Sequence, residues 1–165
     1  METNSKTAIT SDAGKKQIHV TRQFNAPVQE VWNAWTKREL LDQWWAPKPW
    51  KAETKSMEFR EGGTWLYAMV GPDGTKMWSR ADFETILPGQ RFTAIDAFCD
   101  ENGVVNDELP RMHWHCVFSP IEGATLVEIN LTLATAEDVQ KIIDTGFEEG
   151  FTAAHGNLDE LLAKK

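Results

Sequence analysis

The sequence predicts an α+β fold in which a curved antiparallel sheet of about seven strands surrounds one long C-terminal helix. The predicted order is one strand, two helices, six strands and a final helix, or β-α-α-β6-α. Apolar residues recur at helical spacing before residue 46, with a period of two over residues 51–134, and at helical spacing again to the C-terminus. The turns between the period-two segments are too short for parallel crossovers, which need about a dozen residues. One long helix must then cover the apolar face of the sheet.

The first predicted strand follows a polar N-terminal segment. Residues 1–15 are mostly small or polar, and we expect a flexible tail there. Residues 16–24 alternate between apolar and polar side chains, which predicts a strand with Ile18 and Val20 on one face. Residues 16–165 are therefore expected to form a single domain.

Two short helices are predicted between the first and second strands. Asn25 is the expected N-cap of the first, ahead of an apolar stripe at helical spacing. Thr36 and Glu39 stand three residues apart, as in a capping box, so the second helix is expected to begin there. Pro47 and Pro49 end it, because proline lacks the amide hydrogen that a helix needs.

Six further strands are predicted where the apolar period changes to two. Short turns rich in glycine, proline, aspartate and asparagine separate them. The expected strands are 51–59, 63–70, 75–86, 90–99, 111–119 and 124–134. Short turns between consecutive strands predict an antiparallel meander.

The chain closes with a helix that Thr135 is expected to cap. Apolar residues then recur three or four positions apart as far as Leu162. Gly146 and Gly150 interrupt this stripe, at a cost of about 1 kcal/mol each relative to alanine. They predict either a break near residue 145 or a close approach of the helix to the sheet.

Several motifs, taken in order, resemble one known family. The segments are 24–36 (FNAPVQEVWNAWT), 41–47 (LDQWWAP), 59–65 (FREGGTW), 71–74 (GPDG), 84–91 (ETILPGQR), 96–103 (DAFCDENG) and 146–161. Together they resemble the START-like (SRPBCC) superfamily, in the branch named for the activator of the ATPase of heat-shock protein 90. The resemblance covers residues 16–163, and Phe151 departs from it, because the family usually has tryptophan there.

This resemblance implies a helix-grip fold with a cavity between the curved sheet and the C-terminal helix. Relatives bind lipids, sterols, polyketides or other apolar compounds there, and a few catalyse cyclisation or hydrolysis. The expected partner is therefore a small apolar or aromatic ligand, with no cofactor and no assigned catalytic residue. Two alternatives stay open: a chaperone accessory protein that stimulates an ATPase, and a cyclase- or hydrolase-type enzyme that uses a buried acid.

Strand and helix periodicity predicts which side chains face that cavity. The candidate cavity residues are Trp65, Tyr67, Phe83, Asp96, Phe98, Trp114, Phe147 and Phe151. The alternative is that the same side chains fill a solid core. Asp96 is polar on an otherwise apolar face, and a buried carboxylate needs partners or takes up a proton. Asp96 is thus either a polar group of the cavity, a structural hydrogen-bond acceptor, or exposed.

Five of the eight tryptophans fall within residues 32–50. Trp44 and Trp45 cannot both face inward, since neighbouring helix residues point about 100° apart. One is expected in the core, and the other at the cavity mouth or an interaction surface. Trp50 follows two prolines and is expected to be exposed, or else to pack back over the short helices. Trp45 and Trp50 are the candidate interaction surface, because tryptophan is enriched at interfaces.

Charge and composition exclude several classes of partner. The formal net charge is −8 and basic residues never run longer than two, so nucleic acid and anionic membranes are not expected partners. Apolar stretches stay short of the roughly 20 residues that a membrane helix needs. Two cysteines without a recognisable export signal favour reduced thiols and a cytoplasmic location. His113 and His115 share a strand face but lack further ligands at metal-site spacing, so no metal is predicted.

Overall fold

Eight antiparallel strands form one sheet in the computed structural model, which describes residues 7–164. The strands are β1 (Ala8–Asp12), β2 (Gln17–Phe24), β3 (Lys51–Met57), β4 (Thr64–Val70), β5 (Lys76–Leu87), β6 (Arg91–Cys99), β7 (Met112–Ile121) and β8 (Ala124–Thr132). Their order across the sheet is β1-β2-β8-β7-β6-β5-β4-β3. The predicted antiparallel meander of six strands is confirmed and corresponds to β3 to β8. The sheet has one strand more than expected.

Four α-helices lie within the described residues. They are α1 (Val28–Thr36), α2 (Arg38–Trp44), α3 (Ala136–Asp144) and α4 (Phe147–Ala163). The buried sides of these helices and of the strands contribute to one continuous hydrophobic core. The α+β class and the helix that covers the sheet are thereby confirmed. No helix within residues 7–164 has the length and apolar character needed to cross a membrane.

The N-terminal segment differs from the expected flexible tail. Ala8–Asp12 pairs antiparallel with β2, opposite residues 17–21. The Asp12 side chain then accepts a hydrogen bond from the Lys15 backbone amide at 3.1 Å and caps a short 3₁₀ turn. The expectation of a loose segment is wrong for this part, because strand pairing satisfies backbone groups whatever the side chains are. Residues 1–6 lie outside the described residues.

The two short helices are present, but they begin differently from the prediction. Pro27, not Asn25, is the N-cap residue of α1. The Thr36 hydroxyl donates to the Trp32 carbonyl at 2.8 Å, and α2 begins after Lys37. The predicted capping box is therefore wrong: Thr36 is still the last residue of α1, where its hydroxyl bonds back along its own helix.

The predicted break in the C-terminal helix is confirmed. Gly146 has a φ of +87°, a left-handed conformation that glycine adopts without a steric penalty. The chain turns there between α3 and α4. Thr135 caps α3 as predicted, accepting from the Asp138 amide at 3.0 Å. After the turn, α4 runs without interruption and carries Phe147 and Phe151 along the cavity.

Candidate ligand-binding cavity

Two adjoining cavities lie between the sheet and the helices. The inner one has a volume of about 40 Å³ and is bounded partly by α1 and α2. The outer one has a volume of about 220 Å³ and reaches the α3–α4 turn. They share four wall residues, which are Trp45, Tyr67, Asp96 and Trp114. The inner space has room for only two or three waters, whereas the outer space is large enough for part of an organic molecule.

The structure brings all eight predicted cavity residues to these walls. Those on the inner wall are Trp65, Tyr67, Phe83, Asp96 and Trp114, and those on the outer wall are Tyr67, Asp96, Phe98, Trp114, Phe147 and Phe151. These eight side chains therefore border the space between the sheet and the helices, as their predicted orientation requires. Their role as ligand contacts stays a prediction.

Small residues create the space by standing opposite large ones across the sheet. Trp65 pairs with Ala81, Tyr67 pairs with Ser79, and Trp114 pairs with Ala94. A large ring opposite a methyl or hydroxymethyl group leaves volume that a second large side chain would fill. This alternation keeps part of the sheet face from packing as a solid core.

Aromatic rings form most of the cavity wall. Trp65 and Tyr67 stack with centroids 4.0 Å apart and planes 21° apart. Trp45 meets Trp65 at 5.4 Å and Trp114 at 5.9 Å, while Phe151 meets both Trp45 and Trp114 at 5.8 Å. Such packed rings hold one another in place and present flat faces to a bound molecule.

Trp44 and Trp45 occupy different environments. Trp44 is fully buried, and its indole N–H donates to the Ala34 carbonyl at 2.9 Å. Trp45 turns toward the sheet and donates its indole N–H to the Tyr67 hydroxyl at 3.0 Å. One of the two tryptophans is thus in the core, and the other, Trp45, lines the cavity, which is one of its two expected places. A role of Trp45 at an interaction surface stays a prediction.

Trp50 is half-buried, not fully exposed. Its indole lies so close to Gly71, in the turn after β4, that a Cβ there would be 3.1 Å from the ring. Its backbone amide donates to the Pro47 carbonyl at 2.8 Å. Trp50 packs over the β4–β5 turn, and its role at an interaction surface stays a prediction.

Asp96 is both a cavity group and a hydrogen-bond acceptor. Its two carboxyl oxygens accept from the Met112 amide at 3.1 Å and from the Trp114 indole N–H at 2.8 Å. Burial raises the pKa of Asp96 to about 7, and the two hydrogen bonds oppose that shift. Burial also raises the pKa of Tyr67, with the nearby charge of Asp96 adding to the effect. Near neutral pH, Asp96 therefore exchanges a proton while Tyr67 stays neutral.

A second buried polar cluster adjoins the cavity, and the sequence reasoning missed it. Arg22 donates to the Thr7 hydroxyl at 3.0 Å and forms an ion pair with Asp159 of α4. The His155 Nδ1 lies 2.7 Å from the same hydroxyl, and its ring is 4.2 Å from that of Phe151. Burial, together with the charge of Arg22, lowers the pKa of His155 to about 3. Strand alternation places Arg22 on the same face of β2 as Val20. A charged residue on an otherwise apolar strand face indicates such a cluster.

The remaining candidates for chemistry are not among the residues that line the two cavities. His113 faces outward, with its Nε2 2.8 Å from the Glu84 carboxylate. Cys99 and Cys116 are free thiols. Over residues 7–164, no three His, Cys, Asp or Glu side chains are grouped so that they could hold a metal ion.

Comparison with known proteins identifies the family. Residues 25–163 match the family described as "Activator of Hsp90 ATPase homolog 1-like protein". The chain belongs to this family. The match spans α1 to the end of α4, so every element that lines the cavity lies inside the shared region of this AHSA1-like chain. No curated protein sequence matches the chain.

Solved structures agree with this assignment. A protein from Arthrobacter aurescens is 33% identical, with a TM-score of 0.89 over 96% of this AHSA1-like chain and 92% of its own. A protein from Mycobacterium smegmatis is 29% identical, with a TM-score of 0.88 over 95% and 96%. A protein from Staphylococcus epidermidis is 29% identical, with a TM-score of 0.83 over 95% and 94%. The helix-grip fold is thus shared across nearly the full length of each chain.

Proposed function

We propose that this AHSA1-like chain binds one small apolar or amphipathic molecule between the sheet and α4, without converting it chemically. The observation that carries the proposal is the cavity itself, whose walls combine packed aromatic rings with a few placed polar groups. Ligand sites in proteins have this composition. Of the ligand classes that the family resemblance suggests, an aromatic compound fits these walls better than a lipid, sterol or polyketide.

The shape of the cavity indicates how a ligand would lie. The body of the molecule would occupy the outer cavity, between Phe98 of β6 and Phe147 and Phe151 of α4. Its tip would reach Asp96 and Tyr67, which border both cavities. Entry would pass Met77, which lines the outer cavity and is 52% exposed. A cytoplasmic site of action is part of the proposal, and the free thiols are consistent with it.

An arylalkyl probe such as 4-phenyl-1-butanol is expected to bind and to raise the melting temperature. At 100 times its dissociation constant, mass action adds about 2.7 kcal/mol of stability, or about 5–10 °C for a chain of this size. Tryptophan fluorescence should change at the same time, because Trp45, Trp65 and Trp114 line the site. Thermal melts and a fluorescence titration measure both effects. If a diverse apolar library changes neither quantity, the cavity does not bind ligands and the proposal fails.

Phe151→Trp tests whether α4 lines the site. The larger ring has open space on its outer-cavity side, so we expect a stability loss under about 1.5 kcal/mol together with weaker probe binding. Thr152→Trp is the matched control, because Thr152 is exposed and the same ring there should leave probe affinity unchanged. Denaturation and binding titrations of both variants provide the comparison. A larger stability loss with unchanged affinity would place Phe151 in the core instead.

Two other functions each have one supporting observation. Family membership supports a chaperone accessory role, which predicts that the chain stimulates the ATPase of heat-shock protein 90. The raised pKa of Asp96 supports a cyclase- or hydrolase-type reaction using a buried acid, which predicts turnover that Asp96→Asn abolishes. Ligand binding is preferred because it accounts for the whole cavity wall and not for one residue.

A further inference from the structure

The charge distribution around the cavity is one-sided. Among the described residues that line the two cavities, none is lysine, arginine or histidine, and Asp96 is the one carboxyl group. Basic residues of β5 point to the other face of the sheet, where Arg80 pairs with Asp82 at 2.7 Å and Lys76 pairs with Glu53 at 3.7 Å. A ligand with a buried negative charge would therefore meet a carboxyl group and no compensating cation. Such burial is unfavourable.

Around Asp96, most of the unused hydrogen-bonding capacity is that of acceptors. Beside Asp96, the indole N–H groups of Trp45 and Trp114 are already donated, to Tyr67 and Asp96, whereas the indole N–H of Trp35, elsewhere on the inner wall, has no partner. The Asp96 carboxylate has about four acceptor positions, and the structure uses two of them. Around Asp96, what the wall offers to a ligand is therefore mainly acceptor capacity, so a donor group on the ligand is the complementary partner there.

The aromatic walls favour the same kind of group. The faces of tryptophan and tyrosine rings carry negative electrostatic potential and attract cations within about 6 Å of the ring centre. Trp45 and Trp114 stand with centroids 5.9 Å apart at the level of Asp96, and the Trp65–Tyr67 stack forms the neighbouring wall. Asp96 meets Trp114 at the indole N–H edge, and the rings of Trp45, Trp65 and Tyr67 border the same space, so a cation beside Asp96 would also lie close to aromatic rings.

We propose that the ligand is an organic amine whose ammonium group lies beside Asp96 on the wall that the two cavities share, with its apolar body in the outer cavity. This rests on the proposed ligand-binding function and specifies the chemical class of the ligand. The ammonium donates to the free acceptor positions of Asp96 and lies near the aromatic rings that border the same wall. An arylalkylamine matches both the polar end and the aromatic outer wall.

Calorimetric titration with three probes of equal size tests the proposal. The probes are 4-phenylbutylamine, 4-phenyl-1-butanol and 4-phenylbutyrate. We expect the amine to bind at least about tenfold more tightly than the alcohol, and the carboxylate to bind more weakly than both. Equal affinities, or preference for the carboxylate, would overturn the proposal while leaving ligand binding intact. If none of the three binds, the proposed function itself fails.

Asp96→Asn removes the carboxylate charge and keeps a side chain of nearly the same shape, so it tests the charge independently of the cavity. The variant should lose the tenfold preference for the amine and keep its affinity for the alcohol. Asp107→Asn is the matched control, since it removes the same charge from an exposed side chain and should keep the preference. Preference retained in Asp96→Asn would contradict the proposal.

Proton release gives an independent readout on the unmodified protein. An ammonium beside Asp96 favours the carboxylate, so amine binding at pH 7 should release about half a proton, whereas alcohol binding should release none. Tyr67 and Cys99, the other ionisable groups near this wall, have raised pKa values and stay protonated there. Titrations in buffers of different ionisation enthalpy measure the release. Amine binding without proton release would overturn the assignment to Asp96.

Discussion

Trp44→Ala is expected to lower the free energy of unfolding by about 3–5 kcal/mol, the range for removing a large aromatic side chain from a packed core. Trp44 is fully buried, and its ring meets those of Trp35 at 4.9 Å and Trp45 at 5.3 Å. The substitution also removes the donor to the Ala34 carbonyl and leaves that group without its partner. Urea denaturation followed by circular dichroism measures the loss.

Two control variants identify the cause. Trp44→Phe keeps most of the ring and loses the N–H donor, so it should cost less than the alanine variant. Trp45→Ala should also cost less, because Trp45 already borders open space and the neighbouring rings can relax into it. If Trp45→Ala proves as damaging as Trp44→Ala, the two tryptophans do not divide into a core residue and a cavity residue.

Asp96 and His155 are expected to give opposite pH dependences of stability. The pKa of Asp96 is about 7 in the folded protein, above its ordinary value, so folding retains a proton that the unfolded chain loses. Its contribution to stability therefore falls as pH rises from about 4 to 7, by about 4 kcal/mol in total. The pKa of His155 is about 3, below its ordinary value, so the unfolded chain binds a proton that the folded protein excludes. Its contribution falls as pH drops from about 6.5 to 3.

In the unmodified protein these two slopes oppose each other between about pH 4 and 6.5, and single substitutions should expose them. Between pH 6.5 and pH 5, the free energy of unfolding of Asp96→Asn should fall by about 2 kcal/mol relative to that of the unmodified protein. The reason is that asparagine cannot take up the proton that stabilises the folded protein at the lower pH. The free energy of unfolding of His155→Gln should rise by about 2 kcal/mol relative to that of the unmodified protein over the same interval, because its unfolded chain has no imidazole at this position to protonate. Any constant offset from the lost hydrogen bonds leaves these slopes unchanged.

Denaturation curves at several pH values provide the measurement. The readout is the difference between each variant and the unmodified protein, which cancels the contributions of the other ionisable groups. Differences that do not change with pH would show that neither group has a shifted pKa in the folded protein. Slopes of the same sign for both variants would contradict the assignment of one neutral acid and one neutral base.

The periodicity of the sequence predicted most of the fold and the orientation of eight side chains at the cavity wall. Strands β3 to β8 lie within two residues of their expected bounds at either end, since each has a clear alternation and a glycine- or proline-containing turn. The break at Gly146 was predicted because glycine twice interrupts a helical stripe. The orientation predicted for the eight candidate residues agrees with the geometry, since periodicity in a strand or a helix fixes the direction of each side chain, and their role as ligand contacts stays a prediction.

The errors fall where local pattern carries little information. Ala8–Asp12 has no apolar alternation, and only the free edge of β2 makes it a strand. Thr36 fits a capping box by spacing, but its hydroxyl has an acceptor nearer in its own helix. The cluster around Arg22 joins β2 to α4, and the relative placement of elements more than 130 residues apart cannot be inferred from spacing.

The sequence by itself determined the class of fold, the order of its main elements and which side chains share a face. These depend on interactions between residues a few positions apart, which periodicity records. Only the tertiary structure decided that space remains between Trp65, Ala81 and Trp114, that Trp45 turns inward, and that Asp96 is held by Trp114. These features depend on how large and small side chains meet across neighbouring elements, because a cavity is the volume that packing leaves unfilled.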